Sequence, residues 1–303
     1  MALDLRSFAA GVRVTDGVYG TELQAGGPLE PGGCAELLNT ENPAAVEAVA
    51  RSYVEAGSDV IMTNTLMAHR FALAPYGAAS RAAELAEAAA RISRKAADGT
   101  DAKVFGSFGP SGKIVMMGEV SEGELAAAFA ETAVALARGG AEAIVLETFN
   151  ELAEAEIALK AVRAACDLPI VVSMAFAYGA ERSATMMGSS PADLAAMAEA
   201  NGAAAVGANC GVGPAGYLRV AKMLRAATGL PVWIKPNAGL PVVKDGKTTF
   251  PMGPGEFASF VPQLIAAGAN FIGGCCGTRP EHIRAIRKAV DAYERPAPGG
   301  TVL

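Results

Sequence analysis

The sequence predicts an α/β protein folded as a single (β/α)8 TIM barrel, and three features carry that expectation. Short β-branched runs alternate with alanine-rich helical stretches from end to end, the pattern of parallel βα units. The alternation completes eight rounds, enough to close a ring, whereas doubly wound sheets usually have fewer strands. No stretch of linker composition interrupts it, so residues 1–303 read as one domain.

In order, the first strand is expected at Val12–Asp16, with a long loop at Thr21–Thr40 before a helix at Pro43–Ala56. Strands at Asp59–Thr65, Val104–Phe108 and Ala143–Thr148 lead into helices at Ser80–Ala97, Glu122–Arg138 and Glu151–Ala165. The second half has strands at Ile170–Phe176, Ala204–Asn209, Val232–Pro236 and Asn270–Gly274. Its helices are expected at Pro191–Ala200, Gly216–Ala227, Gly255–Ala267 and Pro280–Tyr293. Proline or serine opens several helices, and Gly57, Gly139, Gly202, Gly229 and Gly268 are the stop signals. The Pro/Gly-rich segment 294–303 reads as a frayed tail.

Hydrophobic residues make up 51% of the chain and charged ones 18%, which excludes an intrinsically disordered protein. A net charge of −6, with no run of Lys and Arg, argues against a nucleic-acid partner. Asp4, Arg6 and Arg13 break what would be the apolar core of a signal peptide, and no long uncharged apolar run follows. No membrane association and a cytoplasmic location are therefore expected. The five cysteines are odd in number and two are adjacent, a poor basis for a disulfide framework; metal or thiol chemistry is the better reading.

Functional groups of a barrel sit at the C-terminal ends of its strands. Cys210 ends the sixth strand and Cys275 with Cys276 ends the eighth, so closing the ring can bring three thiols together. Neighbours on a regular strand point to opposite faces. Cys275 and Cys276 can therefore share a target only where the backbone leaves the pleat, as Gly273, Gly274 and Gly277 permit. Three thiolates leave one tetrahedral position of a Zn²⁺ ion open, the arrangement of a catalytic centre. The scarcity of histidine, only His69 and His282, also favours sulfur ligation. The residues alone leave two other readings open: buried apolar cysteines lining the barrel end, or a vicinal Cys275–Cys276 disulfide. Cys34 and Cys166 read as packing residues, and both histidines as non-catalytic. Asn64, Asn209 and Asn237 fall at strand ends, where they orient ligands or hold the chain by hydrogen bonds.

Seven segments sharpen the picture: DGVYGTELQ (Asp16–Gln24), TNT (Thr63–Thr65), GSFGPSG (Gly106–Gly112), ETF (Glu147–Phe149), GANCGVGP (Gly207–Pro214), KPNAGLP (Lys235–Pro241) and GGCCGT (Gly273–Thr278). In this order they resemble the homocysteine S-methyltransferase family over nearly the whole chain, nearest the homocysteine-binding module of cobalamin-dependent methionine synthases. The resemblance implies that Cys210, Cys275 and Cys276 hold one Zn²⁺ and that homocysteine sulfur takes the fourth place. It also implies that Asp16 and Glu147 engage the substrate ammonium and that Ser107 and the amides of Val18 and Tyr19 meet its carboxylate; Asn64, at its strand end, is expected as a further substrate contact. Two partly desolvated carboxylates suit a cationic amine, and amides in a Gly-rich turn form an anion-accepting nest.

The reaction so implied is methyl transfer to the thiol of homocysteine, giving methionine. The donor is either methylcobalamin presented by a corrinoid protein or a small sulfonium such as S-methylmethionine. Betaine is disfavoured, because betaine-dependent relatives carry tyrosine where this chain has Thr148, and Trp233, its one tryptophan, lies within a strand. Two competing readings are a zinc- or thiol-binding accessory protein without turnover and a Schiff-base aldolase using Lys235 at the end of the seventh strand.

Overall fold

The computed structural model describes residues 3–244 and 247–293, so the expected tail 294–303 lies outside the described residues. In chain order the strands are β1 (Arg13–Val14), β2 (Val60–Met62), β3 (Lys103–Phe108), β4 (Ala143–Phe149), β5 (Ile170–Met174), β6 (Ala205–Asn209) and β7 (Val232–Lys235). A hairpin of β8 (Val242–Lys244) and β9 (Lys247–Thr249) follows, then β10 (Phe271–Ile272). Eight of them form one parallel sheet in the order β1-β10-β7-β6-β5-β4-β3-β2, and a parallel bridge between Thr15 and Val60 closes the ring. The expected (β/α)8 barrel is thus present, with helices between successive strands.

Local chemistry explains the helix boundaries. Ser121 and Glu124 form a reciprocal capping box that starts Glu122–Arg138, and Ser190 with Asp193 does the same for Pro191–Ala200. Asn42 caps Pro43–Glu55, whose proline needs no hydrogen-bond acceptor in the first turn. Gly57, Gly202 and Gly268 adopt the left-handed conformation that stops a helix, as expected. Gly139 does not, and its neighbour Gly140 (φ +100°) takes that part. Pro214–Ala227 ends at Thr228 in extended geometry, one residue before the expected Gly229.

Two further expectations need correction. The stretch Thr21–Thr40 is not a plain loop: it contains most of the helix Tyr19–Ala25, a 3-10 turn Ala35–Leu37 and a helical turn Leu38–Glu41. Tyr19 and Leu23, four residues apart, bury together on one face of the first of these. The single helix expected at Gly255–Ala267 is two, Pro254–Ala258 and Val261–Ala266, because Pro262 lacks the N–H that a continuous helix would require. The hairpin β8–β9 and the short helix Leu5–Phe8 were not anticipated.

The lower half of the barrel lumen is filled by Phe105, Val145, Val171, Trp233 and Phe271, and Leu5 closes it from beneath. The rings of Trp233 and Phe271 lie 5.1 Å apart, and Phe105 stacks on Trp233 at 6.0 Å. Gly207 lets Trp233 approach, since a Cβ there would lie 2.4 Å from the Trp233 carbonyl oxygen and 2.7 Å from its Cβ. Burying each such aromatic side chain contributes roughly 1.5–3 kcal/mol. The second apolar shell lies between the outer strand faces and the helices.

Candidate active site

At the opposite end of the barrel β6 stops at Asn209, and Cys210 and Gly211 follow with φ of +65° each. A left-handed backbone costs a non-glycine residue roughly 1–2 kcal/mol, so surrounding bonds must hold Cys210 in place. Its N–H donates to the Lys235 carbonyl at 3.1 Å, and the Tyr217 hydroxyl lies 2.7 Å from its carbonyl oxygen. β10 ends at Ile272, so Cys275 and Cys276 sit on irregular chain, as their sharing of a target requires. Cys275 N–H donates to Pro236 O at 2.8 Å, Cys276 N–H donates to Asn237 Oδ1 at 3.1 Å, and Gly277 (φ +79°) turns the chain away.

The three Sγ atoms lie within 4.8 Å of one another, with Cys210 and Cys276 at 3.9 Å. Tetrahedral zinc–thiolate bonds of about 2.3 Å place sulfurs about 3.8 Å apart, so spacing and donor softness both fit a zinc ion with one position left over. All five cysteines are free, so the vicinal disulfide is not formed, and the trio is half-buried rather than sealed in the core. Hydrogen bonds from Cys275 and Cys276 push the Cys210 thiol well below its usual value, while the same sharing pushes the other two up.

Beside the trio lies a cavity of about 240 Å³, lined among others by Tyr19, Asn64, Ser107, Glu147, Lys235 and Cys275. Glu147 enters it through an irregularity in β4, whose register with β5 shifts between Leu146 and Phe149 where Thr148 adopts φ +67°. Positive φ is strained for a β-branched residue. The Asn209 side chain holds it: Oδ1 accepts from Thr148 N at 2.9 Å and from Ser173 Oγ at 2.6 Å, while Nδ2 donates to Thr148 Oγ1 at 2.7 Å. Burial pushes the Glu147 carboxyl up, opposed by the Lys235 charge and the Ser107 hydroxyl.

The expected substrate contacts separate into two groups. Val18, Tyr19, Asn64, Ser107 and Glu147 line the cavity together. Asp16 is fully buried beneath them, with Oδ1 2.6 Å from Lys235 Nζ and Oδ2 accepting from Met62 N at 2.7 Å. Burial pushes its carboxyl up against the pull of Lys235. Asn64 donates Nδ2 to Ala35 O and Asn39 Oδ1, pinning the segment that carries both, while its backbone carbonyl accepts from Asn39 Nδ2; its side-chain Oδ1 is left for the cavity. Both histidines are built into local structure: His69 bonds Ala72 N and Pro110 O, and His282 bonds Arg279 N and Met252 O.

Sequence reasoning missed Glu36, a buried cavity carboxyl that accepts from Met67 N at 2.8 Å and contacts Cys34 Sγ at 3.3 Å. No periodicity marked its segment. Among the described residues no helix is long and apolar enough to cross a membrane.

The family model for homocysteine S-methyltransferase matches residues 13–290. The chain belongs to the homocysteine S-methyltransferase family. Methionine synthase of Mycobacterium tuberculosis is 34% identical over 304 residues, which cover 94% of this chain and 25% of that protein. Methionine synthase of Mycobacterium leprae is 34% identical over 305 residues with the same coverage. The chain therefore spans a quarter of the length of these relatives. Among solved structures, the metallated form of the Escherichia coli homocysteine methyltransferase MmuM matches with a TM-score of 0.78 at 24% identity, covering 94% of this chain and 99% of that one. Dihydrodipicolinate synthase from Cyanidioschyzon merolae reaches 0.54 at 16% identity over 92% of this chain and 74% of its own. These structural likenesses speak to the barrel.

Proposed function

We propose that this homocysteine S-methyltransferase is zinc-dependent and forms methionine from homocysteine. The observation that carries the reading is the convergence of three Sγ atoms within 4.8 Å at the edge of a cavity that also contains Glu147 and Ser107. Cys210, Cys275 and Cys276 would hold the zinc ion, which when bound supplies a Lewis acid that keeps a substrate thiol ionised near neutral pH. Glu147 receives the substrate ammonium. The Ser107 hydroxyl and the amides of Val18 and Tyr19 receive the carboxylate, the Asn64 side-chain Oδ1 adds an acceptor, and Asp16 contributes negative charge from below. Fixing an amino acid by both ends holds its sulfur in line for attack, and such positioning is itself a large part of catalysis.

For the donor, a methylcorrinoid on a partner protein is favoured over a small sulfonium. The loops that follow β3, β5 and β7 carry exposed apolar side chains, with Met116 73%, Met117 72%, Met186 55% and Val243 74% exposed. Glu151 fixes one of these turns by accepting from Val115 N and Met116 N, each at 3.0 Å. Exposed apolar groups on the loops at this end of the barrel suit contact with a protein surface, whereas a small soluble donor needs none. The aldolase reading loses ground, because a Lys235 ammonium paired to Asp16 at 2.6 Å is a poor amine nucleophile.

The test is metal analysis of freshly reduced protein alongside Cys210→Ala, with methionine formation measured from a methylcobalamin-loaded protein and from S-methylmethionine. Stoichiometric zinc, lost together with homocysteine binding in the variant, is the expected result. Zinc-free active protein would overturn the metal assignment, and homocysteine binding without methionine from either donor would leave an accessory binder.

A further inference from the structure

The Lys235–Asp16 pair changes which substrate charges the cavity can read. Lys235 closes β7 with its side chain 1% exposed, yet it lines the cavity. Among the described residues Nζ has two partners within hydrogen-bonding distance, Asp16 Oδ1 at 2.6 Å and Met62 Sδ at 3.8 Å. A thioether is a weak acceptor, and the nearest aromatic face, that of Trp233, is centred 5.8 Å away. An ammonium has three N–H donors, so one strong acceptor leaves Nζ able to donate to a group in the cavity. Asp16 is the reverse case: both oxygens are engaged, and it is not among the residues that line the cavity.

From this we infer that Lys235 is a specificity-determining residue that binds the α-carboxylate of the thiol substrate and, by occupying Asp16, leaves Glu147 as the carboxylate that meets the substrate ammonium. This rests on the functional reading above and deepens it. The cation of the chain stands where a substrate cation would otherwise meet Asp16, so the cavity presents an ammonium with donors to spare and the Glu147 carboxylate, whose Oε2 lies 3.4 Å from Asn209 Nδ2. That is the complement of a zwitterionic α-amino acid. A thiol carrying only an amine would meet Glu147 but offer Lys235 no acceptor. The carboxylate so held would accept a charge-assisted hydrogen bond, and the same carboxylate could still reach Ser107 and the Val18 and Tyr19 amides.

The test is calorimetric titration of three thiols into zinc-loaded protein: homocysteine, mercaptobutyrate, which lacks the ammonium, and aminopropanethiol, which lacks the carboxylate. In Lys235→Met the affinity for homocysteine and mercaptobutyrate falls about ten- to a hundredfold, the loss typical of one hydrogen bond to a charged group, while aminopropanethiol binds as before or more tightly. Zinc content stays at the wild-type level. Lys235→Arg, which keeps a cation in place, retains the preference for the two carboxylate thiols and serves if the methionine variant does not fold. A zinc-replete Lys235→Met protein that binds mercaptobutyrate like the wild type, or that weakens for all three thiols alike, overturns the inference, as does loss of the carboxylate preference in Lys235→Arg. A wild-type protein that binds none of the three thiols overturns the functional reading and this inference with it.

Discussion

The two ends of the barrel use the same eight strands for opposite purposes. Below, Phe105, Trp233 and Phe271 fill the lumen with uncharged aromatic surface, and the helix Leu5–Phe8 seals it. Above, the same strands end in Asp16, Glu147, Lys235 and three thiols, and two non-glycine residues, Thr148 and Cys210, adopt positive φ. Stability is concentrated at one end and chemistry at the other. The strain tolerated at the reactive end depends on the packing beneath it.

Changes at the lower end should therefore unfold the protein without altering the site. Trp233→Ala is expected to lose roughly 3–5 kcal/mol in urea titration, because it removes an indole enclosed on all sides. The protein that remains folded should bind zinc normally, and selective loss of zinc would mean that the two ends are not separable.

At the upper end one buried histidine should contribute a loss of stability in acid. Burial lowers His69 from its ordinary 6.5 to about 4, so it stays neutral in the folded state while the unfolded chain takes up a proton first. Its contribution is fully present above pH 6.5 and is lost as pH falls from 6.5 to 4, amounting to roughly 3 kcal/mol. The buried carboxyls Asp16, Glu36, Glu147 and Glu154 are raised by burial and act with the opposite sign. The difference between wild type and His69→Gln isolates the histidine, since glutamine can accept from Ala72 N and donate to Pro110 O without titrating. Parallel stability–pH curves would refute the assignment. The smallest effect is expected for Glu147→Gln: KM for homocysteine rises about tenfold, matching about 1.4 kcal/mol. Its melting temperature should hold or rise, because a buried carboxylate is replaced by a neutral amide. A fall in melting temperature alongside the rise in KM would point to a structural part for Glu147.

Much of this arrangement was legible in the residues. The strand–helix alternation is a local pattern, and the cysteines announce themselves by residue type and by their place at strand ends. The Lys235–Asp16 pair was not legible, since its members lie 219 residues apart and only ring closure joins them. Nor was the irregularity in β4, because Thr148 is an ordinary strand former whose unusual backbone is imposed by Asn209, a residue on another strand. The helix Tyr19–Ala25 escaped notice because one apolar pair, Tyr19 with Leu23, is too short a signal to read as periodicity.

The ring has an uneven circumference. β10 contributes two residues to its pairing with β1 and β7, against the four pairs that join β6 to β7. A metal gripped by Cys210 on one side and by Cys275 and Cys276 on the other would span that seam like a clasp. Heat tolerance of the whole barrel should then climb with metal loading, although the ion would touch only its outermost edge.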